Sequence, residues 1–146
     1  MKIAIGCDHG GYKLKEVIKD YVITLGHEVE DFGCYDENSV DYPPIAAKAA
    51  RSVADGKNDT GILICSTGIG ISICANKVDG IRAALCTDEH CAEMTKRHNN
   101  ANVLCMGGHV VTAETAKRIT EKFLTTEFEG GRHATRVGKI MAIEAE

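Results

Sequence analysis

Residues 61–70 read GILICSTGIG, and this stretch decides the fold. Its first half, GILIC, is an unbroken apolar run of the kind that is buried on both faces of a parallel sheet. Its second half, STGIG, is a glycine-rich turn that leads into the apolar spacing of a helix. A buried strand, a tight turn and a helix in this order predict one unit of an α/β protein.

The same alternation runs through the rest of the chain. Short apolar runs predict five strands, at residues 2–6, 28–32, 61–65, 82–86 and 102–106. Helical spacing predicts the segments that follow the strands, at residues 11–25, 43–54, 69–77, 88–99, 112–124 and 131–144. This pattern predicts one doubly wound, Rossmann-like α/β domain over residues 1–146, with a five-stranded parallel sheet flanked by helices.

The order of the strands predicts where a ligand binds. We expect the order 2-1-3-4-5, which places a switch point between the first and third strands. Ligands of such sheets bind beyond the carboxyl ends of the strands at that point. The two loops there are CDHGG (residues 7–11) and STGIG (residues 66–70), and they hold the densest polar chemistry of the chain.

Composition narrows the class of protein. The chain has 146 residues, 44% hydrophobic and 26% charged, which is typical of one globular domain. Its net charge of -4 argues against the basic surface of a nucleic-acid-binding protein. No apolar run approaches the ~20 residues that span a membrane, and no signal peptide is recognisable. We therefore expect a soluble, cytoplasmic domain.

The seven cysteines are spaced without any CxxC pair. An odd number of unpaired cysteines is typical of reduced thiols in an intracellular protein rather than of a disulfide scaffold. Cys86, His90, Cys91 and His98 could be read as zinc ligands, but their spacing matches no familiar zinc finger. No metal site is expected.

The turn from Ser66 to Gly70 is a candidate anion site. Its backbone N–H groups and the positive end of the following helix suit a phosphate or the oxyanion of an enediolate. The alternative is a tight turn that needs glycine for its geometry alone. Cys65 lies directly before the turn, where a thiol gains thiolate character and can act as a base or nucleophile. It could equally pack in the core, as most free cysteines do, and Cys7 has a similar setting.

Further polar residues lie at the ends of predicted elements. Asp8 and His9 follow the first strand and would face the same cleft, as ligands for hydroxyls and phosphate or as a turn-capping residue and a surface histidine. His98 and Asn99 end a helix, where a histidine either acts in catalysis or stabilises the helix terminus. His109, after the fifth strand, is open to the same two interpretations.

The most basic stretch surrounds Arg132 and Arg136. These two residues are four positions apart, so on a helix they share one face and could hold a phosphate together. The alternative is an ordinary solvated helix face.

Six segments together resemble the type B ribose-5-phosphate isomerase family. They are IAIGCDHGGYKLK (3–15), DYPPIA (41–46), GILICSTGIGISICANK (61–77), GIRAALCTD (80–88), RHNNANVLCMGG (97–108) and FEGGRHATRV (128–137). The resemblance implies an aldose–ketose isomerase that interconverts ribose 5-phosphate and ribulose 5-phosphate through ring opening and a cis-enediolate, with neither metal nor cofactor. It also implies a homodimer, or a tetramer made of two such dimers, whose sites are shared between two subunits.

The resemblance assigns roles to individual residues. Cys65 would remove the proton from carbon 2, and His98 would donate a proton to the ring oxygen. Some relatives use a glutamate base a few positions on, but residues 71–74 read ISIC here, which favours Cys65. Thr67 would assist through hydroxyl contacts. The implied substrate contacts are Asp8, His9, Ser66, Thr67, Gly68, Ile69, Gly70, Asn99, Arg132 and Arg136.

The chain departs from the resemblance at one contact position. Many relatives have an arginine where this chain has His109, which is shorter and only sometimes charged. Three alternatives stay open: a galactose-6-phosphate isomerase, an allose-6-phosphate isomerase, or a sugar-phosphate sensor without catalytic activity.

Overall fold

Five strands lie side by side and all run in the same direction. The computed structural model describes residues 1–146 and pairs the strands in the order β2-β1-β3-β5-β4. Their bounds are Lys2–Cys7 (β1), Glu28–Asp31 (β2), Thr60–Cys65 (β3), Ala83–Leu85 (β4) and Val103–Gly107 (β5). The all-parallel α/β architecture predicted from the apolar runs is confirmed, as is the switch point between β1 and β3.

The predicted positions of the last two strands are wrong. The expected order was 2-1-3-4-5, but β5 pairs with β3 and β4 lies at the edge of the sheet. Every residue of β5 is buried, whereas β4 has only three residues and ends on Leu85, which is 38% exposed. A strand that is apolar on both faces gains most from a central position, and a short, half-buried one is tolerated at an edge.

Helices cover both faces of the sheet. Those on one face are Tyr12–Thr24 (α1), Glu89–Asn99 (α4) and Ala113–Thr125 (α5), and those on the other are Tyr42–Ala54 (α2) and Ile69–Asn76 (α3). A sixth helix, Arg132–Ala142 (α6), packs on α4 and ends in a short 3₁₀ turn at Ile143–Ala145. No helix combines the length and the apolar character that a membrane crossing requires.

A buried lysine ties α1 to the edge of the sheet. Lys15 is fully buried, and its Nζ donates to Asp31 Oδ2 and to the carbonyl oxygen of Cys34, both at 2.8 Å. Burial alone would raise the pKa of Asp31. Hydrogen bonds from Lys15, from the Gly33 N–H and from Lys19 outweigh that effect and lower this pKa. The pair is therefore an ionised, hydrogen-bonded anchor inside the protein.

Candidate active site

Cys65 ends β3 and is almost fully buried among the residues between the sheet, α2 and α3. Its Sγ accepts a hydrogen bond of 3.1 Å from the backbone N–H of Gly68, the residue that precedes α3. Gly68 has a φ of 80°, which turns its N–H back toward the strand. A donor aimed at sulfur from a helix N-terminus stabilises negative charge on that sulfur.

The turn after Cys65, here called the anion cradle, is the candidate anion site of the sequence analysis. The Ile69 N–H donates to Thr67 Oγ1 at 3.2 Å, and the first bond into the helix runs from Ser72 N to Gly68 O. The N–H groups of Gly70 and Ile71 lie between these and donate to no group of the chain. Free first-turn donors next to a thiol are what an enediolate oxyanion requires.

The carboxyl end of β5 holds this turn in place. Gly108 donates its N–H to Cys65 O at 2.8 Å, and His109 donates its N–H to Ser66 O at 3.0 Å. Gly107 lies so close to the turn that a Cβ on it would be 2.6 Å from the Thr67 carbonyl. The turn is therefore fixed by backbone contacts on its β5 side.

The loop after β1 lies beside the turn, as the switch point predicts. Asp8 is buried, and its Oδ1 accepts the Gly11 N–H at 3.1 Å, so it is a turn-forming carboxylate. His9 is exposed, and its Nδ1 accepts the Val40 N–H at 3.2 Å. A cavity of about 170 Å³ opens here, and its walls include His9, Lys13 and His109. Glu37 also lines the cavity, and its carboxylate lies 3.7 Å from Lys13 Nζ, so the wall carries both signs of charge.

A second group of predicted residues gathers at the end of α4. His98 is half-buried and Asn99 is exposed in the last turn of α4. The guanidinium of Arg82 donates to the carbonyl oxygens of Asn99 and Asn100 at distances of 2.8–3.1 Å. These charge-assisted bonds cap the helix and fix the backbone that carries His98.

The first turn of α6 completes this second group. Arg132 and Arg136 lie in α6 with exposed side chains, so the predicted helical spacing is confirmed. Gly130 and Gly131 have φ values of 68° and 57°, a left-handed turn that directs α6 onto α4. The Glu129 N–H donates to Arg97 O at 3.1 Å and joins the turn to α4.

The two groups lie at opposite ends of the parallel strands. Cys65 is at the carboxyl end of β3, whereas His98 ends a helix that runs back to the amino end of β5. Arg82, just before β4, contacts the residues that follow His98, which confirms this placement. The five residues of β5 span about 13 Å at ~3.3 Å per residue. One chain therefore does not bring Cys65 and His98 together.

His133 is a residue that the sequence analysis missed. Its ring is 7% exposed and stacks on His98, with ring centroids 4.3 Å apart and an angle of 14° between the planes. Its Nε2 lies 3.4 Å from Glu129 Oε2 without a hydrogen bond. Its one signal in the sequence is its position directly after Arg132, within the basic stretch.

The residues that the sequence offers as metal ligands are not the ones that the fold gathers. The Cys86, His90, Cys91 and His98 set does not converge; the one trio whose ligand atoms lie within 4.8 Å of one another is His98, Glu129 and His133. Arg97 is 3.5 Å from the same carboxylate, which opposes a further cation.

Three of the remaining buried thiols are held in the protonated form. Burial, and then the neighbouring Cys34, raise the pKa of Cys7, the thiol that ends β1. Burial raises the pKa of Cys86 to about 12, with Cys91 and Asp88 adding to the effect. Burial also raises the pKa of Cys105, well beyond its usual range. These cysteines lie in the core, where burial favours the neutral thiol.

The chain is similar over nearly its whole length to proteins of one known family. The chain matches the family model described as "Ribose/Galactose Isomerase" over residues 3–140. It is 48% identical to ribose-5-phosphate isomerase B of Escherichia coli (strain K12) over 143 residues, which cover 98% of this chain and 96% of that relative.

Solved structures show the same fold. Ribose-5-phosphate isomerase B of Clostridium thermocellum matches with a TM-score of 0.98 at 54% identity, over 99% of this chain and 98% of that one. The Mycoplasma genitalium ribose-5-phosphate isomerase B with bound ribulose-5-phosphate matches with a TM-score of 0.95 at 41% identity, over 99% and 97% of the two chains. The present chain therefore belongs to the ribose/galactose isomerase family.

Proposed function

We propose that this chain is an isomerase that interconverts ribose 5-phosphate and ribulose 5-phosphate, with Cys65 as the base and with neither metal nor cofactor. The observation that carries the proposal is the hydrogen bond from the Gly68 N–H to Cys65 Sγ, beside the unpaired N–H of the partly exposed Gly70. A base and an oxyanion cradle in contact are the two parts that enediolate chemistry needs. Relatives of about half identity that carry this activity support it further.

In the proposed reaction the sugar ring opens first. The bond between carbon 1 and the ring oxygen breaks as His98 donates a proton to that oxygen, and the hydroxyl on carbon 1 releases its proton to solvent as it becomes the aldehyde; His98 then regains a proton from solvent. The Cys65 thiolate then takes the proton from carbon 2, and the electron pair forms the enediolate. The thiol returns that proton to carbon 1, while the hydroxyl proton on O2 passes to O1, aided by the Thr67 hydroxyl. General-base catalysis contributes roughly 10²–10⁴-fold, and one oxyanion donor roughly 10²–10³-fold.

The proposed active site needs two copies of the chain. We call the half at the carboxyl ends of the strands half-site A; it contains Cys65, the turn from Ser66 to Gly70, Asp8, His9 and His109. Half-site B, at the amino edge, contains His98, Asn99, Arg132 and Arg136. A two-fold dimer in which half-site B of one copy faces half-site A of the other makes two complete sites.

Exposed apolar side chains support this assembly. Ile69 and Ile73 lie one turn apart on α3, beside half-site A, and are 53% and 56% exposed. Ile140 and Ile143, at the end of α6, are also exposed. Large aliphatic groups on the elements that carry both half-sites suit an interface between copies. All seven cysteines are free, which fits the reducing cytoplasm in which we expect the enzyme to work.

The first experiment measures turnover of ribose 5-phosphate by the purified protein in EDTA. Cys65→Ala should lose at least ~10²-fold in kcat, whereas Cys91→Ala, at an exposed thiol of α4, should keep wild-type activity. Galactose 6-phosphate and allose 6-phosphate are assayed alongside. Preference for a six-carbon sugar would overturn the proposed substrate, and sugar-phosphate binding without turnover would indicate a sensor.

A mixing experiment tests the shared site. Cys65→Ala and His98→Ala proteins are each inactive on their own. After the subunits are exchanged, half of the dimers are mixed, and each mixed dimer has one site with both wild-type groups. Activity should return to about one quarter of the wild-type value. If it stays at zero although mixed dimers form, the two groups act within one chain and the proposed assembly is wrong.

A further inference from the structure

His133 is placed where it can control the orientation of His98. It is the second residue of α6, and its ring lies against the His98 ring at 4.3 Å and nearly parallel to it. The partner ring belongs to the last turn of α4, so the stack joins two helices. A flat contact of this kind restrains the rotation of the less buried ring.

The backbone on both sides of the stack is fixed. Arg82 holds the carbonyl oxygens that follow His98, and the Glu129 N–H donates to Arg97 O on the other side. Arg82 also contacts Met141 of α6 at 3.1 Å, so one side chain connects the two helices. The stack is therefore held at both ends and does not depend on one flexible side chain.

His133 is the neutral member of the pair. Burial lowers its pKa most, and His98, Arg132 and Arg136 lower it further, whereas only Glu129 opposes them. Two stacked imidazoles resist double protonation, because their charges would lie within a few ångströms of each other. A ring that stays neutral presents an uncharged surface to the ring that stacks on it.

We propose that His133 is a positioning residue whose ring fixes the imidazole plane of His98 for proton transfer to the ring oxygen of the sugar. This inference rests on the proposed function, because it assumes that His98 opens the ring. His133 makes no direct contact with the reacting atoms in this scheme. Its contribution is the orientation of the proton donor, and small errors of orientation are costly in catalysis.

The test compares His133→Ala with His133→Phe. The alanine variant removes the stack, so kcat for ribose 5-phosphate should fall about tenfold. The phenylalanine variant keeps a flat neutral ring and should stay within about threefold of wild type. His90→Ala, at an exposed position on α4, is the matched control. Loss in both His133 variants to the same extent would overturn the role of the ring.

Two further measurements separate positioning from folding. Ribitol 5-phosphate is acyclic and needs no ring opening, so its Kd should not change in His133→Ala. The deuterium isotope effect at carbon 2 should fall toward one, because ring opening becomes slower than proton removal by Cys65. A weaker Kd that accounts for the whole loss, or a larger isotope effect, would refute the inference.

A His98→Ala protein distinguishes the two levels of the argument. If it keeps full activity, the ring-opening role in the proposed function is wrong. If it loses activity while His133→Ala keeps wild-type kcat, only the positioning role of His133 fails.

Discussion

Gly107→Ala tests whether the backbone of β5 sets the geometry of the anion cradle. The new Cβ would lie 2.6 Å from the Thr67 carbonyl and 2.9 Å from its Cα, where ordinary contact begins at 3.4 Å. Because these atoms are backbone, the turn must retreat by about 0.8 Å to relieve the contact, and a misplacement near 1 Å can cost about 10²-fold in rate. We therefore expect kcat/KM to fall about 10²-fold, although no catalytic side chain is changed.

Gly61→Ala is the matched control. Gly61 lies near the amino end of the central strand β3, away from the turn. A Cβ on it would meet the side chains of Val103 and Val53 at 3.3 and 3.4 Å. Side chains can yield where backbone cannot, so this variant should keep its activity. Both proteins are assayed for ribose 5-phosphate isomerisation and unfolded in urea, where Gly107→Ala should lose about 1–3 kcal/mol. If Gly107→Ala stays within threefold of wild-type kcat/KM, the reasoning about the cradle is refuted.

Three other predictions address the anchor, the helix cap and the interface. Asp31→Asn removes the ionised partner of the buried Lys15 and should lower the free energy of unfolding by about 3–5 kcal/mol in urea. Because the pKa of Asp31 is lowered in the fold, its contribution to the free energy of unfolding is complete above about pH 4 and is lost as the pH falls toward that lowered value. Wild-type stability should therefore decline more steeply below pH 4 than that of the variant. Equal slopes would contradict the assignment. Arg82→Lys leaves at least one carbonyl at the end of α4 without its partner and should lower kcat/KM about tenfold with helix content unchanged by circular dichroism. Ile73→Lys should give a monomer in sedimentation and no isomerase activity, and an active monomer would disprove the shared site.

The local elements are readable from the sequence, because each one carries its own apolar period. Every helix and strand is predicted to within two residues of its observed ends. The order of the last two strands is not readable in the same way, since it depends on which strand gains more from burial. The buried length of β5 and the exposed Leu85 of β4 decide that order, and neither follows from periodicity alone.

The residues of the candidate site also differ in how far the sequence predicts them. The switch point predicts that Asp8 and Cys65 lie close together, because Asp8 follows β1 and Cys65 ends the neighbouring β3. A resemblance to a family implies that His98 acts with Cys65, and within one chain the topology separates them. His133 escaped prediction because its role depends on a contact between α4 and α6, and no local pattern records which helices will pack together.

The opposed positions of Cys65 and His98 have a consequence for how such genes evolve. A dimer holds two copies of each half, but one functioning site needs only one of each. After gene duplication, one daughter gene can lose its thiol and the other its imidazole, and a mixed pair still carries one working site. The two daughters are then bound to each other, since neither has activity alone. When the two groups of a site lie at opposite ends of the strands, gene duplication can therefore lead to a pair of sister proteins that work only together.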